Sequence, residues 1–294
     1  MKLKIWFLET RPQFLLLSVV LVLLGTAIAR HEGHFDGLRF VLTTLGLLLA
    51  HASVNVLNDY FDYQSGIDLQ TTRTPFSGGS GILAQGLLEP RSVYVFGVAC
   101  LLAALPIGLY LTLVSGWQLL PLILLGGLVI YFYTSYLTKY LIGELWAGLG
   151  LGTLPVLGAY FIQTGSYSLG ALVASVAPGL LTANLLFLNE FPDVEADTKG
   201  GRYHLVIALG TKKASRLYAG LVAMTYVCVV GGVVSKLMPP LSLIALLSMP
   251  FALKAITTTF KHHDKLQELI PALKANVLTI LSTDALLALA YFLS

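Results

Sequence analysis

Asn55, Asn58, Asp59 and Asp62 recur at spacings of three and four, so a continuous helix carries their amide and carboxylate groups on one face. Asp68 lies off that face, and Gly66 between Asp62 and Asp68 lets the chain bend and bring it back. Farther along, Asn189, Asp193 and Asp197 repeat every four residues and share a face of their own. Like charges stacked this way cost an isolated helix about 0.2–0.5 kcal/mol per pair, and carboxylates beside a membrane cost more unless something positive offsets them. A divalent cation is the natural offset. Hard carboxylate and amide oxygens suit Mg²⁺, which binds one or two carboxylates and shares the rest of its shell with water and phosphate oxygens. One Asp-x-x-Asp alone would read as a solvated acidic loop. Two clusters, each opened by an Asn at the end of an apolar run, point to a joint metal and diphosphate site.

The elements that must position these acids are membrane helices. Of the 294 residues 56% are hydrophobic and 11% charged, against about 25% charged in soluble chains. Apolar stretches of the length that spans a hydrocarbon core run near residues 14–29, 38–57, 92–114, 118–137, 141–162, 169–188, 214–235, 241–260 and 275–293. These nine spans make one all-α, polytopic membrane domain covering residues 1–294. Lys2 and Lys4 precede an apolar run, but Arg11 and Pro12 interrupt it, which reads as a retained first helix entered through an interfacial segment.

With the N-terminus cytoplasmic, only Arg30, Arg39 and Lys236 among the Lys and Arg residues fall outside, the asymmetry that the positive-inside rule expects. The outer loops near 115–117 and 164–166 are minimal, whereas the inner ones at 58–91 and 189–213 are long and hold the acid clusters. The site is therefore expected on the cytoplasmic side of a cell membrane. The net charge of +3 comes from scattered residues, not from a stripe, so no nucleic-acid partner is expected. Cys100 and Cys228, each inside an apolar segment, read as inert thiols.

The pattern Asn58-Asp59-x-x-Asp62-x₅-Asp68, with Asn189-x₃-Asp193-x₃-Asp197, resembles the paired signatures of UbiA-type intramembrane prenyltransferases. The resemblance runs the length of the chain. It includes Arg11-Pro12, the run from Thr134 through Tyr136 and Lys139 to Tyr140 followed by Gly143-Glu144, and the stretch from Lys199-Gly200 to Leu209-Gly210. It implies nine helices around a central cavity, with the aspartates above it. The late Asp68, in Ser65-Gly66-Ile67-Asp68, is similar to the branch that prenylates 1,4-dihydroxy-2-naphthoate on the way to menaquinone.

The resemblance implies transfer of a polyprenyl group from its diphosphate to an aromatic acceptor. Asp59, Asp62, Asp68, Asp193 and Asp197, with Asn58 and Asn189, would hold Mg²⁺. Arg73, Lys139, Lys199 and Arg202 are the cations available to the diphosphate, and Tyr140 joins them at the expected catalytic centre. Arg11, His51, Asn55, Tyr60, Tyr136 and Glu144 are the expected substrate contacts. Tyr60, Tyr63, Tyr131, Tyr133, Tyr136 and Tyr140 could shield an allylic cation, or form an interfacial belt. His51 lines the acceptor pocket or is an interior hydrogen-bonded histidine, and Glu144 contacts the acceptor or caps a helix. Asp284, deep in the last span, is a functional group or a buried protonated carboxyl. His31-Glu32-Gly33-His34 lacks metal-box spacing and reads as solvated loop. Other acceptors (a hydroxybenzoate, homogentisate, haem or a glycerol phosphate ether) fit the same chemistry. A cation-coupled transporter is the alternative of another class, disfavoured because transporter acids sit near the bilayer midplane.

Overall fold

The computed structural model describes residues 2–139 and 141–294; Tyr140 and the side chain of Lys139, both singled out above, lie outside the described residues. The described residues form helices and no strand, as a chain that must satisfy its backbone within lipid requires. In chain order the helices are α1 (Lys2–Glu9), α2 (Pro12–His31), α3 (Gly37–Ser65), α4 (Ile67–Gln70) and α5 (Pro90–Ser115). Next come α6 (Trp117–Phe132), α7 (Gly143–Thr164) and α8 (Leu169–Asn189). They are followed by α9 (Val194–Lys199), α10 (Leu205–Leu209), α11 (Thr211–Val234), α12 (Pro240–His262) and α13 (Leu266–Leu293).

Eight of these helices are long and apolar enough to cross a membrane. The expected span at 118–137 is shorter: α6 gives way to turns at 133–136, and Thr134 in those turns accepts a hydrogen bond from Asn58 Nδ2 at 3.1 Å. Large apolar side chains cover the outside, with Leu113, Val234 and Leu247 more than two-thirds exposed, while Thr26, Asn184, Ser242 and Asp284 are buried. Water as solvent would favour the opposite distribution.

The helix boundaries follow from local chemistry. Arg11 takes a left-handed conformation (φ 53°) between α1 and Pro12 at the first turn of α2. Asp36 caps α3 by accepting from the Arg39 amide, and Gly66 (φ 79°) ends it. Helix α7 bends at Leu151, whose φ of −118° is not helical. Glycines bring α7 against α8: a Cβ on Gly148 would lie 2.6 Å from the Gly179 carbonyl oxygen, and one on Gly152 would lie 2.7 Å from Gly179 Cα.

At one end of the bundle the Arg39 guanidinium donates to the carbonyls of Ile162 and Val114, each at 2.9 Å, closing the ends of α7 and α5. Glu32 in the α2–α3 loop accepts from the Tyr160 hydroxyl, so that loop is tied to α7 and is not purely solvated. The long loops meet at the opposite end. Between the ends runs a cavity of about 370 Å³, lined from α2, α3, α5, α6, α7 and α8 and from the loops that follow α3 and α8. Helices α11 and α13 pack behind α8, and α12 packs against both of them. Their core residues, such as Tyr218, Val222 and Leu269, support Phe187 and Phe191 from behind.

Candidate functional site

The two acid clusters meet at the loop end of the cavity. The last turns of α3 present Asn55, Asn58 and Asp62 to it, α4 presents Asp68, and the end of α8 with the segment beyond presents Asn189, Asp193 and Asp197. Arg202 joins the clusters: one guanidinium nitrogen pairs with Asp62 and the other reaches Asp197 Oδ1 at 3.3 Å. Arg11 approaches from α2, 3.4 Å from Asn58 Oδ1 and 3.9 Å from Asp59 Oδ1. Asn58 Nδ2 also donates to Asp62 Oδ2 at 3.0 Å.

The glycine-rich turn closes over the first cluster. The Ser80 amide donates to Asp59 Oδ2 at 2.7 Å, and the Ser80 hydroxyl donates to Glu9 Oε2 at 2.7 Å. Gly79 has φ 67°, and a Cβ there would lie 2.6 Å from Asp68 Oδ2 and 3.2 Å from Asp59 Oδ1. Glycine is required both by its conformation and by the carboxylates it touches.

The model of the UbiA prenyltransferase family matches residues 18–277. A 1,4-dihydroxy-2-naphthoate octaprenyltransferase of Bacillus subtilis (strain 168) is 30% identical over 288 residues, covering 97% of this chain and 91% of that protein. The chain belongs to the UbiA prenyltransferase family. It is an enzyme of prenyl transfer and a multi-pass membrane protein. The enzyme of the same name from Escherichia coli (strain K12) is 27% identical, covering 98% of this chain and 95% of its own. A UbiA homologue from Archaeoglobus fulgidus, solved bound to GPP and Mg²⁺, shares the fold with a TM-score of 0.65 at 16% identity, covering 96% of this chain and 99% of that one.

Several features of this UbiA site fit a divalent cation. Asp59 Oδ1, Asn189 Oδ1 and Asp193 Oδ1 are buried oxygens without a hydrogen-bond partner. Burial, then repulsion from Asp62 and Asp59, pushes the Asp68 carboxyl up to about 8. Burial and the neighbouring Asp197 push Asp193 up to about 7. Burial, followed by Glu144, holds Glu190 well above the usual carboxylate range. Burial makes the charged forms of these neighbouring acids costly, and a bound cation would offset that cost.

The remaining expectations divide. His51 faces the cavity and shares a hydrogen bond with Ser18 Oγ at 2.8 Å, so it is both interior and pocket-lining. Asn55 lines the cavity while donating to the Thr10 carbonyl at 2.9 Å. Tyr133 faces the cavity, whereas Tyr60 packs its ring against Phe61 and Tyr94 and Tyr136 is exposed. The Arg73 guanidinium folds over Gly81 behind the turn. Lys199 does not reach the cavity: it is exposed and pairs with Glu195 one turn away at 2.7 Å. Its pairing with Glu195 turns it away, whereas Arg202, expected alongside it, lines the cavity. Glu144 caps a helix other than its own, its Oε1 accepting from the Leu205 amide at 2.9 Å at the start of α10. Asp284 is buried and is not among the lining residues, with both oxygens unpartnered.

Sequence reasoning missed Glu9, Ser80 and His204. Glu9 is wholly buried and belongs to an eight-residue helix with no second acid near it in the chain. His204 lies in the cavity wall, with Nε2 3.3 Å from Asp197 Oδ2. Seven residues would be two turns of a continuous helix, but α9 ends at Lys199, between Asp197 and His204, so no helical register in the sequence pairs them.

Proposed function

We propose that the chain transfers a polyprenyl group from its diphosphate to 1,4-dihydroxy-2-naphthoate, at a site facing the cytoplasm. The observation that carries this reading is the Arg202 guanidinium spanning Asp62 of one cluster and Asp197 of the other at the mouth of an apolar cavity. A head group with high negative charge fits among the acids only with metal, and its hydrocarbon tail fits the cavity below. The naphthoate relatives and the late Asp68 favour that acceptor.

Asn58, Asp59, Asp62, Asp68, Asn189, Asp193 and Asp197 would hold Mg²⁺. Bound there, Mg²⁺ supplies Lewis-acid stabilisation of the leaving diphosphate. Arg11 and Arg202 place fixed positive charge beside the same oxygens, already oriented by their bonds to Asn58, Asp62 and Asp197. The apolar wall from Leu101 to Ile162 keeps water from the allylic centre once the carbon–oxygen bond breaks. The Tyr133 ring faces that space and can stabilise the cation through its π-face. The new carbon–carbon bond forms at the ring carbon that carries the carboxylate, so diphosphate and CO₂ leave and no further proton is exchanged. The basic residues gathered at the aspartate end support the cytoplasmic orientation.

Purified protein incubated with Mg²⁺, labelled polyprenyl diphosphate and a panel of acceptors should prenylate the naphthoate in preference to hydroxybenzoate or homogentisate. The naphthoate carboxyl label should appear as CO₂. Chelator, Asp62→Ala and Asp193→Ala should each lower the rate by at least about 10²-fold. Transfer that survives all three would overturn the site, and preference for another ring would overturn the acceptor.

A further inference from the structure

Beside the aspartate clusters lies a second group of metal-ligating side chains with a different donor set. Glu144 comes from the start of α7, Glu190 from the end of α8 and His204 from the residue before α10. One oxygen or ring nitrogen from each lies within 4.8 Å of the others. His204 Nδ1 is 3.5 Å from Glu190 Oε2. Glu144 and His204 are each more than nine-tenths buried.

Four of their polar atoms lack a hydrogen bond. Neither ring nitrogen of His204 makes a hydrogen bond, and Glu144 Oε2 and Glu190 Oε2 make none either. Unpaired groups at this depth carry a full desolvation penalty. Their outer contacts are nonetheless set for ligation. The Leu205 amide fixes Glu144 Oε1 and leaves Oε2 buried without a hydrogen bond. Asp197 Oδ2 lies 3.3 Å from His204 Nε2, the carboxylate–histidine arrangement that orients a metal-bound imidazole through its other nitrogen.

We propose that Glu144, Glu190 and His204 form a further divalent-cation site, separate from the all-oxygen diphosphate site and selective for a first-row transition metal over Mg²⁺. The imidazole nitrogen favours Mn²⁺, Fe²⁺ or Zn²⁺ in a mixed nitrogen and oxygen set. An ion there ties α7, α8 and the segment that carries Arg202 into one unit. It also fixes Asp197 through His204. The proposal does not depend on which acceptor the enzyme takes.

Pulsed EPR of Mn²⁺ on the untagged, full-length protein in detergent, stripped of metal and free of diphosphate, tests it. The expected result, beside any Mn²⁺ that the aspartates take up, is a bound Mn²⁺ that shows ¹⁴N coupling from a single imidazole and is not displaced by tenfold excess Mg²⁺. His204→Gln should abolish the coupling, Glu144→Gln should weaken Mn²⁺ binding at least about tenfold, and Asp62→Asn should leave the coupling intact. Mn²⁺ should also raise the thermal midpoint of the native protein by more than that of His204→Gln. Failure to bind Mn²⁺, bound Mn²⁺ without imidazole coupling, or coupling that survives His204→Gln would each overturn the site. If His204→Gln does not fold, the coupling in native protein and the affinity of Glu144→Gln decide the matter.

Discussion

At the scale of single residues, Glu9 shows how a side chain outside both acid clusters can control them. It is wholly buried and accepts from the Ser80 hydroxyl, while the Ser80 amide holds Asp59. Burial, then the nearby Asp59 charge, pushes its carboxyl from the usual 4.5 to about 7. A carboxyl raised on folding means that the folded state binds more protons than the unfolded chain. Its contribution is therefore fully present below pH 4.5 and is lost as pH rises through about 7. Glu9→Gln keeps an acceptor for Ser80 and removes the titration. The stability difference between native protein and Glu9→Gln should move against the native protein between pH 5 and pH 8. Each tenfold change in proton affinity is worth about 1.4 kcal/mol, which makes the change on the order of 3 kcal/mol. Thermal unfolding of both proteins across that range checks it, and a difference independent of pH would refute the coupling.

At the scale of elements, the acids themselves were legible because they stay in register on one helix face, as Asn58 and Asp62 show by bonding one turn apart. Groups that meet only through tertiary packing were not. Glu144 and Leu205 touch across 61 residues, and no local pattern anticipates it. Glycines set how α7, which carries Glu144, packs on α8. Gly152→Ala places a methyl against the Gly179 backbone on α8, where neither helix can yield locally. Alanine gains about 1 kcal/mol of helix propensity over glycine, but overpacking costs about 1–3 kcal/mol. The overpacking term should win, lowering the thermal midpoint and the transfer rate together. Gly220→Ala on α11, with nothing within 4 Å of the new methyl, should be neutral or stabilising. Equal midpoints for the two variants would show that the α7–α8 approach has slack.

At the scale of the whole molecule, the spans were legible because lipid demands unbroken apolar runs; the shorter one, α6, ends in turns where Thr134 bonds Asn58. The split between the two ends was legible in the basic residues. Arg30 and Arg39 cluster with the short loops, Arg30 over the Phe292 ring at 3.8 Å and Arg39 on the α5 and α7 carbonyls. Arg11, Arg73 and Arg202 lie with the aspartates. If this asymmetry sets the insertion, the exposed Ser166 faces outside and the exposed Gln70 faces the cytoplasm. With Cys100 and Cys228 replaced by alanine, a single cysteine at Ser166 should react with a membrane-impermeant maleimide in intact cells. A cysteine at Gln70 should react only after permeabilisation. The reverse pattern would place the aspartate site outside, where no cytoplasmic pool of prenyl diphosphate could reach it, and would force a different source for the donor.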